Sequence, residues 1–305
     1  MAYRKATALY FTTVCAYPGD MAALGGHLQS EDSDPIGTRF MLINQGAWGF
    51  LFDIREVIYA MVLRTPTGEK RRLCILGRDG LYREYPSGGS PIDIPIKPTE
   101  AGYLEDLAVV GDEVYACGAQ GQVYRLNGGT WKAIDRGLRI PFDGDDVKRL
   151  LLSISGFSTN DVYTCGFEGE IWHWDGKKWR ELDSPTNFPL NCVLCASDGR
   201  TYFCGANGTL LALEADGTWT DLARGKLGKI SMWDMAQFKG LIHVAAGSSV
   251  LAINGAAVQK LPTPSEGKLD AMALAASDDK LWCVGGDDVF SFDGKAWTRH
   301  VCPEN

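Results

Sequence analysis

The sequence has few of the residues that catalytic and metal sites most often use. Its 305 residues include four histidines, which are His27, His173, His243 and His300. A metal-dependent enzyme needs several histidine or carboxylate ligands that converge on one point. His173 and His243 fall in strands of different position, and neither has a cysteine or histidine companion at ligand spacing. We therefore predict no metal and no cofactor.

The sequence also lacks a long apolar run and an excess of positive charge. No stretch approaches the roughly eighteen apolar residues of a membrane span. The stretch Ala6–Ala16 superficially suggests a signal peptide, but Thr7, Thr12 and Thr13 interrupt it and no small-x-small cleavage site follows. We interpret it as a strand. The formal net charge of -8 argues against nucleic acid or an anionic membrane as the main partner.

Disulfide bonds are not expected, although the chain has nine cysteines. Five of them occupy corresponding positions of an internal repeat, inside predicted strands, where a small apolar side chain fits. We predict that these are buried free thiols of a cytoplasmic protein. Cys192 and Cys195 have the spacing of a zinc knuckle or redox motif, but side chains i and i+3 of a strand point to opposite faces. The five repeated cysteines are Cys74, Cys117, Cys165, Cys204 and Cys283.

What the sequence does contain is a repeat with a period near forty residues. Four copies align closely, and two weaker copies complete a series of six. Their anchor positions are separated by 39 to 48 residues. A period of this length made of short strands is typical of β-propeller blades. We therefore predict an all-β fold, a single β-propeller of four-stranded blades. The anchors are Gly77, Gly118, Gly166, Gly205, Ala246 and Gly285.

Each copy separates into four strands joined by tight turns. A Gly-x-x-Gly motif between the second and third strands is expected to supply the positive φ angles of a hairpin. Asp175-Gly176 predicts the next hairpin, and the tryptophan that follows is expected to wedge between neighbouring blades. In one copy the predicted strands are Lys148–Ser155, Asp161–Cys165, Glu170–Trp174 and Trp179–Leu182.

The number of blades depends on residues 1–53. Residues 54–301 hold six readable blades, and the last carries its own outer strand. Residues 1–53 contain three apolar runs around a polar loop from Pro18 to Gly37, which is enough for most of an irregular first blade. Seven blades are therefore favoured over six, in one domain over residues 1–305, closed by docking of a terminal blade on its neighbour. The three runs are Ala6–Ala16, Arg39–Asn44 and Ala47–Ile54.

The repeat resembles that of a known group of propellers. Gly166 to Trp179 reads Gly-x-x-Gly-x-Ile-x-His-x-Asp-Gly-x-x-Trp, which is similar to bacterial propellers related to the kelch and photosystem-assembly-factor groups. The resemblance covers about residues 54–301 and implies a binding scaffold, although the broader superfamily includes oxidases and glycosidases. The chain departs from kelch repeats, because a Gly-Gly pair ends a second strand only at Gly285-Gly286. It departs from WD40 repeats, because a Trp-Asp dipeptide lies near the end of a third strand only once, at Trp174-Asp175.

The sequence gives little support to catalysis. Sialidase propellers carry Ser-x-Asp-x-Gly-x-x-Trp boxes, and the nearest match, Glu214 to Trp219, lacks the serine. Such an enzyme also needs an arginine cluster, but only Arg55 and Arg149 fall near the starts of inner strands. We therefore predict that the protein is not an enzyme. A hydrolase or lyase with a small-molecule site in the central channel is kept as the alternative.

The expected function is to bind a protein. In a propeller, the loops between second and third strands and those between blades lie at one face, and here they carry acidic and aromatic residues. Aromatic side chains anchor a partner and charges steer it, so we expect a monomeric immunity-type inhibitor of a basic bacterial toxin such as a nuclease. Plain solvated turns are the alternative. The predicted partner-binding residues are Asp79, Phe142, Asp143, Asp145, Asp146, Phe167, Glu168, Trp233, Asp234, Asp287 and Asp288.

Overall fold

Consecutive β-strands of the chain pair in groups of four. The computed structural model describes residues 9–29, 35–97, 102–144, 146–225 and 227–305, so the predicted site residue Asp145 lies outside the described part. Within it, seven antiparallel sheets form, and each consists of four strands that follow one another in sequence. The protein is a seven-bladed β-propeller, which confirms the predicted fold class and the choice of seven blades. We number the blades in chain order.

Blades 2 to 5 form one compact unit, residues 59–231. Blade 2 comprises β5 (Ile58–Arg64), β6 (Arg72–Gly77), β7 (Tyr82–Pro86) and β8 (Ile92–Asp93). Blade 3 comprises β9 (Leu104–Val110), β10 (Glu113–Gly118), β11 (Val123–Asn127) and β12 (Thr130–Ala133). Blade 4 comprises β13 (Leu151–Ser158), β14 (Asp161–Gly166), β15 (Ile171–Trp174) and β16 (Trp179–Glu181). Blade 5 comprises β17 (Leu190–Cys195), β18 (Thr201–Gly205), β19 (Leu210–Leu213) and β20 (Trp219–Asp221).

Blades 1, 6 and 7 belong to a second compact unit. Blade 1 comprises β1 (Leu9–Tyr17), β2 (Met21–Gln29), β3 (Pro35–Asn44) and β4 (Ala47–Ile54). Blade 6 comprises β21 (Asp234–Phe238), β22 (Leu241–Ala245), β23 (Val250–Asn254) and β24 (Ala257–Lys260). Blade 7 comprises β25 (Ala273–Ala276), β26 (Leu281–Gly285), β27 (Asp288–Phe292) and β28 (Trp297–His300). That residues 1–305 make a single domain stays a prediction.

Burial falls from the middle of a blade to its outer edge. Every residue of β18 and of β26 is buried, because both faces of a blade are covered by packing. The outer strand β16 buries only Trp179. This explains why second strands read as continuous apolar runs, whereas outer strands include charged residues such as Arg180 and Glu181.

Neighbouring inner strands are joined by side-chain acceptors. The carboxylate of Asp106 on β9 accepts a hydrogen bond from Ile154 N on β13 at 2.9 Å. Asp234 on β21 does the same for Leu274 N on β25 at 2.7 Å. Inner strands of different blades are not paired in one sheet, so these contacts satisfy N–H groups that would otherwise be buried without a partner.

The outer-strand tryptophans are wedges between blades, as predicted. The indole Nε1 of Trp131 donates to Ile94 O at 2.8 Å, in the segment that follows the outer strand of blade 2. Trp179 donates to Ile134 O after blade 3 at 2.9 Å, and Trp297 donates to Pro262 O after blade 6 at 2.8 Å. Each ring therefore contacts the preceding blade and satisfies its one polar group there.

Blade 1 corrects one expectation. The strand β2 (Met21–Gln29) lies inside the segment interpreted as a polar loop, so this blade has four strands instead of three. A Cβ at Gly25 would lie 2.3 Å from Thr13 Oγ1. Glycine is required here by close packing against β1 and not by a turn. The blade docks on blade 7 through Phe11 N and Gly286 O at 2.8 Å, as expected for closure.

The Gly-x-x-Gly hairpins also differ from the prediction. Gly166 has an extended backbone, with φ of -170°. The positive φ angles belong to Glu168 (59°) and Gly169 (74°). A Cβ at Gly166 would lie 2.0 Å from Leu150 O, and one at Gly169 would lie 2.2 Å from Thr186 O. Gly166 therefore leaves room for Leu150, where the chain enters the inner strand. Gly169 supplies a positive φ for the hairpin and leaves room for Thr186, in the connector that follows the blade.

The cysteines are free thiols, as predicted. Eight of the nine are buried, and Cys195 is half-buried. Burial raises the pKa of Cys117, Cys165 and Cys283. Among the described residues no group of three potential metal ligands is found. No helix in that same part of the chain is long and apolar enough to cross a membrane.

Truncating a wedge tryptophan should destabilise the protein strongly. Trp179 is buried, lies 5.6 Å from the ring of Trp174 and donates to Ile134 O. Trp179→Ala is expected to lower the free energy of unfolding by about 3 kcal/mol or more, as for other large buried aromatics. Trp179→Phe, which keeps a ring and loses the indole hydrogen bond, should cost less. A urea midpoint equal to that of the wild type would contradict the packing.

The thiols should be unreactive until the protein unfolds. A denatured sample should titrate close to nine free thiols with a thiol-disulfide exchange reagent, and the native protein far fewer, because burial suppresses the thiolate. Cys195→Ser should remove the fastest-reacting native thiol, since this cysteine alone is half-buried. Finding several thiols missing from the denatured titration would mean that disulfides exist.

The hairpin of blade 4 should tolerate a change at its third position and not at its fourth. The residue of blade 5 that corresponds to Glu168 is Asn207, whose φ is 55°. Glu168→Asn should therefore leave stability within about 1 kcal/mol, because asparagine adopts this conformation more readily. Gly169→Ala should cost more than about 2 kcal/mol, since its Cβ meets Thr186 O. Equal stability of the two variants in urea would refute this geometry.

Candidate functional site

The hairpin ends of blades 4 and 5 bring several predicted residues together. Leu151 pairs with Gly166 in blade 4, so the connector before β13 lies beside the hairpin after β14. Leu190 and Gly205 repeat this arrangement in blade 5. Three phenylalanines, one from a hairpin and two from connectors, are exposed at this end. They are Phe142 (45%), Phe167 (45%) and Phe188 (42%).

Two of these phenylalanines, Phe167 and Phe188, are held by local hydrogen bonds of the backbone. Phe167 N donates to Leu150 O at 3.1 Å, and Phe167 O accepts from Glu170 N at 3.2 Å. Phe188 N donates to the hydroxyl of Thr186 at 3.1 Å. The exposed rings therefore project from ordered turns, and fixing them on binding costs little conformational entropy. We call this set the hairpin-end surface, comprising Phe142, Asp143, Asp146, Phe167, Glu168 and Phe188.

A cleft of about 480 Å³ opens beside Phe167 and Glu168. Arg149 and Glu170 form an ion pair at its wall, with 2.7 Å between Nε and Oε2. The indole of Trp172 donates to the same carboxylate at 3.0 Å, and burial raises the pKa of Glu170. This pair belongs to the wall of the cleft. The other carboxylates that line it are exposed, and they are Glu168, Glu181 and Asp183.

The acidic character predicted for this end is interrupted by basic residues. Asp143 forms an ion pair with the exposed Lys148. Asp146 is exposed, and its backbone oxygen accepts a hydrogen bond from the amide of Gln120 at 3.4 Å. Asp79 is exposed in the hairpin of blade 2, next to Arg78. The surface carries both signs of charge, so its aromatic residues distinguish it more clearly than its acidity.

The predicted residues of blades 6 and 7 differ in their engagement. Trp233 and Asp287 are exposed. Asp234 is half-buried and accepts from Met235 N and Leu274 N, each at 2.7 Å. Asp288 accepts from Arg299 Nε at 2.7 Å and from Lys268 N at 3.1 Å. The carboxylates of Asp234 and Asp288 therefore join neighbouring strands.

Sequence reasoning missed a second cleft, at the opposite end of blades 4 and 5. Its volume is about 600 Å³. The rings of Tyr163 and His173 stack at 4.5 Å in its wall, and His173 Nε2 lies 2.8 Å from Asp161 Oδ1. Trp219 lines the cleft as well, in the segment compared above with a sialidase box. Stacking between side chains of neighbouring strands leaves no periodic signal, so only the histidine and this box pointed to the cleft. We call this the turn-end cleft.

One further carboxyl group has unusual chemistry. Glu105 on the inner strand β9 is half-buried beside Asp106. Burial raises the pKa of Glu105 to about 7, and the nearby Arg78 opposes that shift. A carboxyl group that titrates near neutral pH can act as a general base. If the chain were an enzyme, Glu105 would be the first residue to test.

Comparison with solved structures places the fold. The WD40 propeller domain of Doa1 has a TM-score of 0.69 at 13% identity, covering 95% of this chain and 96% of that chain. A virginiamycin B lyase from Staphylococcus aureus has a TM-score of 0.65 at 15% identity, covering 81% of this chain and 84% of that chain. These likenesses confirm a propeller repeat protein. They do not separate binding from catalysis, because one fold hosts many functions.

Comparison of sequences is more specific. No family model matches the chain. The immune protein Tsi7 of Pseudomonas aeruginosa is 32% identical over 252 residues, which cover 80% of this chain and 79% of that protein. Identity at this level over four-fifths of both chains reaches well beyond the shared fold. The chain belongs to the family of the immune protein Tsi7.

Proposed function

We propose that this chain is an immunity protein, a non-catalytic propeller that binds a protein toxin and blocks it. The observation that carries the proposal is the hairpin-end surface, on which Phe142, Phe167 and Phe188 are each exposed. The relationship to an immune protein supports the same function. Exposed aromatic rings on ordered turns are unusual for a solvated surface and typical of the centre of a protein interface.

The aromatic residues would supply most of the binding energy. An exposed phenylalanine that becomes fully buried contributes on the order of 2 kcal/mol, and interfaces concentrate their energy in a few such anchors. The cleft beside Phe167 is open enough to receive a side chain of the partner. The toxin would therefore be held by ring contacts at blades 4 and 5.

Charge would select a basic toxin, of which a nuclease is one kind. The chain has a net charge of -8. Within the described part of the chain, Glu168, Glu181 and Asp183 form no ion pair, so their carboxylates are available to a cationic partner. Such charges raise the association rate through long-range attraction. We place this inhibitor, as a monomer, in the cytoplasm of the cell that makes the toxin.

The function is tested by neutralisation. A toxin captured from the native cell on this protein should kill a host that lacks the chain and spare a host that makes it. Phe167→Ala should raise the dissociation rate about tenfold, because an aromatic anchor acts after contact. Phe50→Ala is the matched control, since Phe50 is also exposed, at 56%, but lies on the outer strand of blade 1. Equal effects of the two variants would reject the hairpin-end surface.

The charge selection is tested separately by kinetics. The association rate should fall steeply with added salt, because attraction is screened within about 8–10 Å at moderate ionic strength. Glu168→Lys should slow association and leave the dissociation rate nearly unchanged. Its folding control is Glu168→Asn, which keeps the backbone conformation without reversing charge. Salt-independent association, unaffected by Glu168→Lys, would mean that the carboxylates only provide solubility.

A further inference from the structure

The turn-end cleft has aromatic walls whose rings are fixed in place. Phe157 is 41% exposed and meets Tyr163 edge-to-face, with ring centroids 6.4 Å apart and planes at 90°. Trp219 contacts the buried Phe203 at 5.6 Å. Tyr163 is stacked on His173 from the neighbouring strand. The cleft thus offers ring faces and edges that do not have to reorganise when a ligand enters.

Carboxylates line this cleft together with His173, whose Nε2 lies 2.8 Å from Asp161 Oδ1. Asp161, Asp183 and Glu214 contribute carboxylates, and none of its lining residues in the described part of the chain is lysine or arginine. Arg200 pairs with Glu214 at 2.9 Å from outside the lining. The hydroxyl of Thr220 also donates to Glu214, at 3.0 Å. The cleft beside Phe167 differs in this respect, because Lys148 and Arg149 line it.

We propose that the turn-end cleft binds an arginine side chain of the protein partner. Rings and carboxylates together recognise a cation, because the ring face attracts positive charge and the carboxylate accepts its hydrogen bonds. A planar guanidinium stacks on a ring while its N–H groups reach a carboxylate at the rim, which an ammonium group does less well. The volume of about 600 Å³ accommodates such a side chain with its flanking backbone.

One partner can reach both ends of blade 4. Leu182 and Asp183 line the turn-end cleft and also the cleft beside Phe167. Leu182 and Asp183 directly follow the outer strand Trp179–Glu181, which spans roughly 10 Å. A specific interface buries about 800 Å² on each partner, which is enough to cover this edge. The inference therefore rests on the proposed function and adds a second, charged contact for the same toxin.

The cleft can be tested without the toxin. N-acetyl-arginine amide should bind the purified chain and shift the indole NMR signal of Trp219, whereas N-acetyl-citrulline amide, its neutral isostere, should not. Asp161→Asn and Phe157→Ala should each weaken binding about fivefold or more, the size of effect expected for a single cation–π or charged contact. Glu266→Gln, which removes an exposed carboxylate that lines neither cleft, is the control and should bind as the wild type does. Equal binding of citrulline, or an undiminished affinity in both cleft variants, would overturn the proposal.

The toxin then separates this inference from the proposed function. If the cleft takes an arginine of the toxin, Phe157→Ala and Asp161→Asn should weaken the complex while urea unfolding stays as in the wild type. Free N-acetyl-arginine amide should compete with the toxin for the wild type and not for Phe157→Ala. Wild-type affinity in both variants, with Phe167→Ala still weakened, would reject the cleft and leave the immunity function standing. Failure to neutralise any captured toxin, with the arginine probe still bound, would reject the immunity function instead.

Discussion

The packing of neighbouring blades depends on a side chain of one inner strand that accepts a hydrogen bond from the backbone of the next. Inner strands of different blades belong to separate sheets, so no ladder satisfies their facing N–H groups. Asp106 provides the acceptor for Ile154, Ser153 for Val193 at 3.2 Å, and Asp234 for Leu274. Removing one acceptor would leave a buried donor unsatisfied, at a cost of about 1–3 kcal/mol. Burial raises the pKa of Asp106, and its hydrogen bond from Ile154 N opposes that shift.

Because the inner strands join neighbouring blades, the loops at the two ends of each blade are the parts available to bind a partner. The hairpin end combines exposed phenylalanines with charges of both signs, whereas the turn-end cleft combines rings with carboxylates. These are different chemical surfaces on one rigid element, blade 4. An inhibitor that uses both surfaces selects a partner whose shape fits the hairpin end and whose charge fits the turn-end cleft. Its specificity then comes from the two requirements together.

The repeat predicted much of this structure, because strands, turns and wedges act through local patterns. The four strands of blade 4 and the tryptophan contacts follow from spacing alone. The second strand of blade 1 is not evident from the sequence, because Gly25 is required by close packing against Thr13, a contact that a linear pattern does not reveal. The same holds for the turn-end cleft, whose rings come from different strands. Asp234 was predicted to contact a partner from the start of an inner strand, and the pattern does not reveal that its carboxylate accepts a hydrogen bond from Leu274 N of the next blade.

Blade 1 precedes the other six blades in the sequence, but its packing depends on blade 7, which follows all the others. Its inner strand donates from Phe11 N to Gly286 O, and Leu9 N donates to the side chain of Asn305 at 2.8 Å. Leu9, Phe11 and Leu24 form one apolar cluster with Trp282 and Val284 of β26. Until β26 has left the ribosome, those apolar side chains have no surface to pack against, and a contact of such sequence separation forms slowly. Synthesis of nearly the whole chain therefore precedes completion of blade 1, which delays the native fold relative to translation.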